Sequence, residues 1–382
     1  MPSGSAGVGP LGLYIHVPFC RSRCGYCTFT STTDFALEPS YTQRLVREIH
    51  DWGRFLGGPH LDTLYMGGGT PSLLPPASLR AIGRAMRAAF DVSGLLEATL
   101  EANPGTVSEG WLEGARNEGW DRISLGVQTL DDGLLRLLGR THSAAQCFGS
   151  VKMCLNAGFE RVCADLLLGV PTRRPGRTLE DAVSLIEAGV EHLSVYILDL
   201  DKDCPLKGAV DGGLLRMPDD GEVAEEYLEL WEKLPRLGFC GYEISNFSRP
   251  GRHSAHNVRY WRRRPYIGLG PGAAGNIADV RWAEGGDIAK WLEGTGTTDI
   301  QRLTPAESLA EIPLLGLRMS EGVDWPALHR LAEDDGLSSL AQGWDAGLDP
   351  FMKMGLLVRR GNNLCLTPKG ALLSNAVFRL FV

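Results

Sequence analysis

Three cysteines stand close together near the start of the chain, at Cys20, Cys24 and Cys27. Thiolates are the usual protein ligands of iron–sulfur clusters. Gaps of three and two residues let a single loop wrap three corners of a cubane. No fourth cysteine lies nearby, so one iron of a 4Fe–4S cluster would stay open to an outside ligand. Structural zinc competes for the same residue type, but it usually takes four protein ligands in paired knuckles. Tyr26, between the last two cysteines, and the position of the loop behind a strand favour the cluster.

Other chemistry-bearing residues recur at intervals. Gly67, Gly68, Gly69 and Thr70 follow one apolar run, and Glu101 ends another. Gln128 ends a third, Asp165 lies within a fourth, and Arg140 sits in a connecting segment. His256 and Tyr260 lie in an aromatic-rich stretch, with His253 nearby. Taken singly, Glu101, Gln128 and Asp165 read as interior hydrogen-bonding residues, Arg140 as a surface charge and His256 as a loop or core histidine. The Gly-rich segment 270–275 matches a dinucleotide fingerprint, but the residues after it do not read as a helix that could hold a pyrophosphate. We reject a nucleotide-binding reading there.

The elements that must carry these residues are short apolar runs alternating with amphipathic stretches. Strands are expected at 13–19, 63–66, 98–102, 122–127, 162–168 and 192–198. Helices are expected at 41–55, 79–89, 111–117, around 134, at 144–157 and at 179–188. This alternation means βαβ units and a parallel sheet. Consecutive strands carry their odd polar or Gly-rich residues at or towards the C-terminal side, which is the active-face pattern of a (β/α) barrel. An open doubly wound sheet would gather them at one switch point. Six units point to a partial (β/α)6 barrel of the TIM type within an α/β fold. Beyond about residue 300, Thr304 and Pro305 start a helix, and runs at 356–359 and 364–367 flank a turn. The expected division is a flexible stretch 1–10, a barrel with its extension over 11–300, and a small helical, winged-helix-like domain over 301–382.

Composition narrows the partners. The 382 residues carry a net charge of −8, and Arg262, Arg263 and Arg264 form the one dense cationic spot, read as a solvated turn. A nucleic-acid surface is not expected. No apolar run approaches the ~18 residues of a membrane span, and the first ten residues lack the basic and apolar regions of a signal peptide. A cytoplasmic location follows as the expectation. The six dispersed cysteines read as small buried hydrophobes.

The segment 14–29, with its histidine, proline and three cysteines, resembles the opening of radical-SAM proteins related to the oxygen-independent coproporphyrinogen oxidase. More narrowly, it resembles the HemW-type heme chaperones. The likeness continues through 67–74, 101–105, 124–129, 138–142, 242–247 and 256–261 and covers nearly the whole chain. It implies a radical-SAM barrel in which S-adenosylmethionine (SAM) binds the open iron through its amine and carboxylate. By the same resemblance, Gly67, Gly68, Gly69 and Thr70 would meet the methionine amine. Glu101, Gln128, Arg140 and Asp165 would contact SAM, and Tyr14 and Tyr26 would wall the cluster and SAM. Glycines suit close approach of backbone to a ligand. The resemblance also associates His256 and Tyr260 with heme.

This chain departs from the pattern at Thr28, where many chaperone-type members have Asp, and at Ala274, where close relatives have His. Phe29 stands where the oxidase branch carries a further cysteine, and only about a dozen residues precede the first strand. Both features point away from coproporphyrinogen oxidation. The function expected is a heme chaperone that binds heme, a 4Fe–4S cluster and SAM and serves a heme-accepting protein. Peripheral membrane association would come through that acceptor. The competing functions are a radical-SAM enzyme, in which cluster and SAM generate a hydrogen-abstracting radical (coproporphyrinogen oxidase-like, or a methyltransferase acting on a small-molecule or peptide substrate), and an iron–sulfur regulator suggested by the C-terminal domain.

Overall fold

The computed structural model describes residues 9–200 and 204–382; the first eight residues of the expected flexible stretch lie outside them. Strands β1 (Leu11–Val17), β2 (Leu61–Gly68), β3 (Glu97–Ala102), β4 (Arg122–Gln128), β5 (Arg161–Leu168) and β6 (His192–Ile197) pair in sequence order, all parallel. Helices Glu38–Leu56, Pro76–Ala89, Glu109–Asn117, Ala144–Asn156 and Arg177–Glu187 cross between them. Ser108 and Ser143 cap two of these helices through their hydroxyls, so the chain leaves the sheet with its first amides satisfied.

The sheet extends past the six expected strands. β7 (Cys240–Gly241) and β8 (Asn246–Ser248) add antiparallel beyond β6. On the other side β9 (Tyr266–Leu269) runs parallel to β1, making a seventh parallel strand. β10 (Ala274–Ile277), β11 (Val280–Glu284) and β12 (Thr298–Arg302) then continue antiparallel. The order is β12-β11-β10-β9-β1-β2-β3-β4-β5-β6-β8-β7, an open curved sheet rather than a closed barrel. The Gly-rich segment 270–275 is the turn from β9 into β10, with no helix behind it.

One apolar core runs under the whole parallel sheet, from Leu11 to Trp291. A second core, from Leu309 to Phe381, belongs to the C-terminal helices and a small sheet of β13 (Val323–Asp324), β14 (Leu357–Arg360) and β15 (Asn363–Leu366). Thr304 caps the first of these helices, Pro305–Gly316, in a reciprocal box with Glu307.

Within the curve of the sheet, alternate strand residues are polar and linked. Arg122 pairs with Glu97 at 3.8 Å, both buried. Glu97 also accepts hydrogen bonds from the backbone N–H groups of Ala255 and His256 and from the Ser254 hydroxyl. Helix Ala255–Trp261 is thereby docked beneath the N-terminal ends of β2, β3 and β4. Its Arg259, buried, donates to the carbonyls of Pro10 and Pro265 and pairs with Asp62. This helix is the floor of the half-barrel.

Candidate cluster and cofactor site

The cysteine loop leaves β1 at the C-terminal edge of the sheet. Cys20 N–H donates to the Thr32 carbonyl at 2.9 Å, and Cys27 N–H to the Cys24 carbonyl at 3.2 Å. Gly25 is tied on both sides, its N–H to the Leu138 carbonyl and its carbonyl to Leu206 N–H. All three thiols are free and border one cavity of about 340 Å³. Among the described residues no three His, Cys, Asp or Glu side chains gather closely enough for a single ion.

Donors already point at two of the sulfurs. Arg140 Nη1 lies 3.5 Å from Cys24 Sγ, and Thr70 Oγ1 lies 3.8 Å from Cys20 Sγ. Asn103 joins the two, accepting from Arg140 at its Oδ1 and donating to Thr70 Oγ1. Arg140 also donates to the Gly126 carbonyl. Donors of this kind stabilise charge on sulfur and tune a cluster's potential. Burial pushes the Cys20 and Cys27 thiols up, with further upward pressure from their cysteine neighbours. Thiolate ligands must be deprotonated, so metal binding at such a loop would release protons.

The cavity continues from the cysteines into the half-barrel. Glu101, at the end of β3, accepts from Tyr65 OH at 2.7 Å and from Gly68 N–H at 3.0 Å. Burial first, and the nearby Asp165 next, push its carboxyl up to about 7, against the pull of those two hydrogen bonds. Burial likewise raises Asp165, which accepts from Ser124 at 3.2 Å. Two carboxyls that resist ionisation at the base of one cavity suit a ligand that brings positive charge and hydroxyl donors. SAM, with its sulfonium, amine and ribose, is such a ligand, and the Arg140 guanidinium stands in the same cavity wall. The residues present fit both groups.

Gln128 reaches the cavity by a distortion. It has a φ of 68°, in the left-handed region, and the β4–β5 register shifts between Leu125 and Gln128. The bulge turns the Gly126 carbonyl onto Arg140 and the Gln128 side chain onto the cavity wall. Strain of this sort, about 1–3 kcal/mol, concentrates at ligand sites.

Of the residues read from sequence, Tyr26, Gly68, Gly69, Thr70, Glu101, Gln128, Arg140 and Asp165 border the cavity with the three cysteines. Tyr14 and Gly67 do not. Tyr14 stands behind Tyr65, with ring centroids 6.1 Å apart, and its hydroxyl bonds His16 Nδ1 at 3.0 Å. The glycines are also required by close protein neighbours. A Cβ on Gly67 would meet the Glu101 carboxylate at 2.8 Å, on Gly68 the His16 ring at 2.5 Å, and on Gly69 the Phe19 carbonyl at 2.7 Å. Tyr65, Tyr196, Asn103 and Ser124 border the cavity and were not singled out from sequence.

His256 lies elsewhere. It is fully buried in the floor helix, with Nδ1 3.0 Å from Thr63 Oγ1 and Nε2 2.8 Å from Tyr260 OH. Both ring nitrogens are engaged. Burial and the neighbouring Arg259 and Arg122 push its pKa down to about 3. His256 as placed offers no nitrogen to a heme iron, because its ring spans Thr63 and Tyr260 inside the floor. His253 is exposed and stacks on Tyr242 at 4.2 Å.

The chain matches the radical SAM superfamily over residues 14–182 and the HemN C-terminal domain over residues 303–373. It is 32% identical to the heme chaperone HemW of Lactococcus lactis across 98% of this chain and 97% of that one. It is 34% identical to the HemW of Synechocystis, covering 87% and 84%. It is also 34% identical to the bovine mitochondrial radical S-adenosyl methionine domain-containing protein 1, covering 84% and 76%. The fold matches the Escherichia coli coproporphyrinogen III oxidase HemN, a radical SAM enzyme, with a TM-score of 0.84 over 98% of this chain and 90% of that one, at 21% identity.

Proposed function

We propose a heme-handling role from a premise the whole chain supports: it belongs to the family of HemW heme chaperones, within the radical SAM superfamily. In our reading the protein binds heme, carries a 4Fe–4S cluster and SAM, and passes heme to an acceptor protein. The observation that carries this is the match to curated HemW chaperones over nearly the full length of both chains. Cys20, Cys24 and Cys27 would hold the cluster. Gly68, Gly69, Thr70, Glu101, Gln128, Arg140, Asp165 and Tyr26 would face SAM, with Tyr14 and Gly67 supporting from behind. When bound, the cluster supplies an electron and SAM the group that receives it. The chain's own contribution is to orient SAM between Arg140 and the carboxyls, and to keep donors on two of the cluster sulfurs.

Among the described residues no helix is long and apolar enough to cross a membrane. We place the protein in the cytoplasm, meeting a membrane only through its acceptor. The test is anaerobic reconstitution of the cluster followed by heme titration and mixing with an apo heme protein. Saturable binding of one heme per chain and its loss to the acceptor is the expected result. Absence of saturable binding, with or without cluster, would end the chaperone reading. Formation of 5′-deoxyadenosine with a turned-over small molecule would favour a radical-SAM enzyme instead, a reading that the enclosed carboxyl-lined cavity also suits.

A further inference from the structure

A second cavity, of about 520 Å³, lies away from the cysteines, where the antiparallel extension of the sheet meets the C-terminal helix Pro305–Gly316. Its size is within the roughly 300–1,000 Å³ of small-molecule sites. One side is apolar and aromatic. Tyr260 and Tyr266 meet edge to face at 4.6 Å, and Trp282 and the half-buried Leu314 and Leu315 also line the cavity. The lining is also charged, with Arg263, Arg264 and Arg281 against Asp299 and Glu311. Arg263 and Arg281 converge on the buried Glu311, which fixes their positions. Arg264 is exposed at the rim and forms no ion pair among the described residues.

The geometry points to this cavity as the seat of a planar tetrapyrrole, its ring against the aromatic and leucine side and its two propionates on Arg264 and Arg281. The inference rests on the heme-binding reading and locates it. A guanidinium carries five N–H donors, so Arg281 can keep Glu311 and still turn donors towards a carboxylate. Arg–carboxylate pairs of this kind are among the stronger hydrogen bonds.

The lining holds no histidine, cysteine or methionine. With none of those side chains in the lining, the grip comes chiefly from the macrocycle's faces and its carboxylates. That suits a carrier, because a strong axial bond would have to be broken at each delivery. Tyr260 OH is hydrogen-bonded to His256 Nε2, so the aromatic-rich segment read from sequence reaches this cavity through Tyr260 and not through the imidazole. Ala274, exposed on β10, is the wall position from which an imidazole could enter.

The experiment titrates heme and iron-free protoporphyrin IX into the full chain with its cluster in place, by tryptophan quenching and the Soret band. Iron-free porphyrin should bind within about threefold of heme. Arg264→Ala combined with Arg281→Gln should weaken both by about tenfold, with the cluster absorption and SAM affinity unchanged. Ala274→His should leave porphyrin affinity alone while tightening heme and shifting its Soret band to the red. Heme binding that survives the double arginine variant, or that shows no Soret response to Ala274→His, overturns the location. Porphyrin binding lost when iron is absent overturns the grip by face and carboxylate. No heme binding by the unaltered chain overturns the chaperone reading itself.

Discussion

Replacing Glu101 with Gln should make the SAM-free chain more stable at neutral and higher pH, while weakening its hold on SAM. In the fold the Glu101 carboxyl is raised from an ordinary 4.5 to about 7, chiefly by burial and then by Asp165. The unfolded chain gives up this proton near pH 4.5, whereas the folded chain keeps it until about pH 7. The group's contribution is therefore fully present below pH 4.5, declines through that window and is lost above it. At about 1.4 kcal/mol per unit, the rise from 4.5 to about 7 amounts to about 3 kcal/mol. Gln removes the ionisation and keeps the contacts. Its carbonyl accepts from Gly68 N–H, its amide donates to Tyr65, and the Tyr65 hydroxyl turns round to accept. Urea unfolding of both proteins, free of SAM and cluster, at intervals from pH 4.5 to 8 reads the effect. The two stabilities should coincide at the acid end and separate by about 3 kcal/mol at pH 8, over a window broadened by coupling to Asp165. Curves that stay parallel across the range would refute the assignment of a neutral Glu101 in the empty cavity. The opposite effect on SAM follows because the charged carboxylate that burdens the empty fold is what a cationic ligand needs.

Substituting Cys20, Cys24 and Cys27 together with Ala should abolish the broad visible absorption of the cluster, and substituting the six other cysteines should spare it; retained iron in the triple variant, read by metal analysis, would count against the loop. Gly68→Val should lower the melting temperature itself, since the residue has a φ of 104° and its Cβ would lie 2.5 Å from the His16 ring; a variant that melts normally yet fails to bind SAM would show that the glycine serves the ligand after all. His256→Ala should cost about 2–4 kcal/mol in unfolding free energy, from the cavity and the two lost hydrogen bonds, with heme affinity held within about threefold, and a collapse of heme affinity at unchanged stability would reverse that. Coproporphyrinogen III should not be converted by the reconstituted protein, because Phe29, 62% exposed, stands at the cavity wall where it can only pack; sustained anaerobic loss of carboxylates from that substrate is the contrary result.

Much of the parallel sheet and of the cofactor site was legible because punctuation is strong at strand ends. Gly67–Thr70, Glu101 and Gln128 interrupt apolar runs, and the interruptions fall on one edge of the sheet. Tyr65 and Tyr196 were missed because parallel strands are buried on both faces, so a residue turned into the barrel looks like one turned into the helix layer. Gln128 was found as a polar residue, but the bulge that aims it has no signature in Leu-Gly-Val-Gln. The seventh parallel strand, β9, joins β1 across more than two hundred residues of sequence, a pairing no local pattern announces. His256 is hard to place from sequence for a related reason. Its neighbours are aromatic whether the helix lines a ligand cavity or plugs a barrel, and only Glu97 and Thr63, distant in sequence, decide between the two.

The floor of the half-barrel has a consequence for traffic. Arg259 ties Asp62 and Thr63 of one strand region to the carbonyls of Pro10 and Pro265, and the Ala255–Trp261 helix fills what would otherwise be the lower opening. The cavity is thus closed off at the N-terminal ends of the strands. A ligand held there would exchange on the side of the strands' C-terminal ends, beside the cysteine loop and Phe29. Departure must precede replacement, and a macromolecule resting across that side would lock the occupant in place. An acceptor protein docked there would thus set the residence time of SAM without touching it.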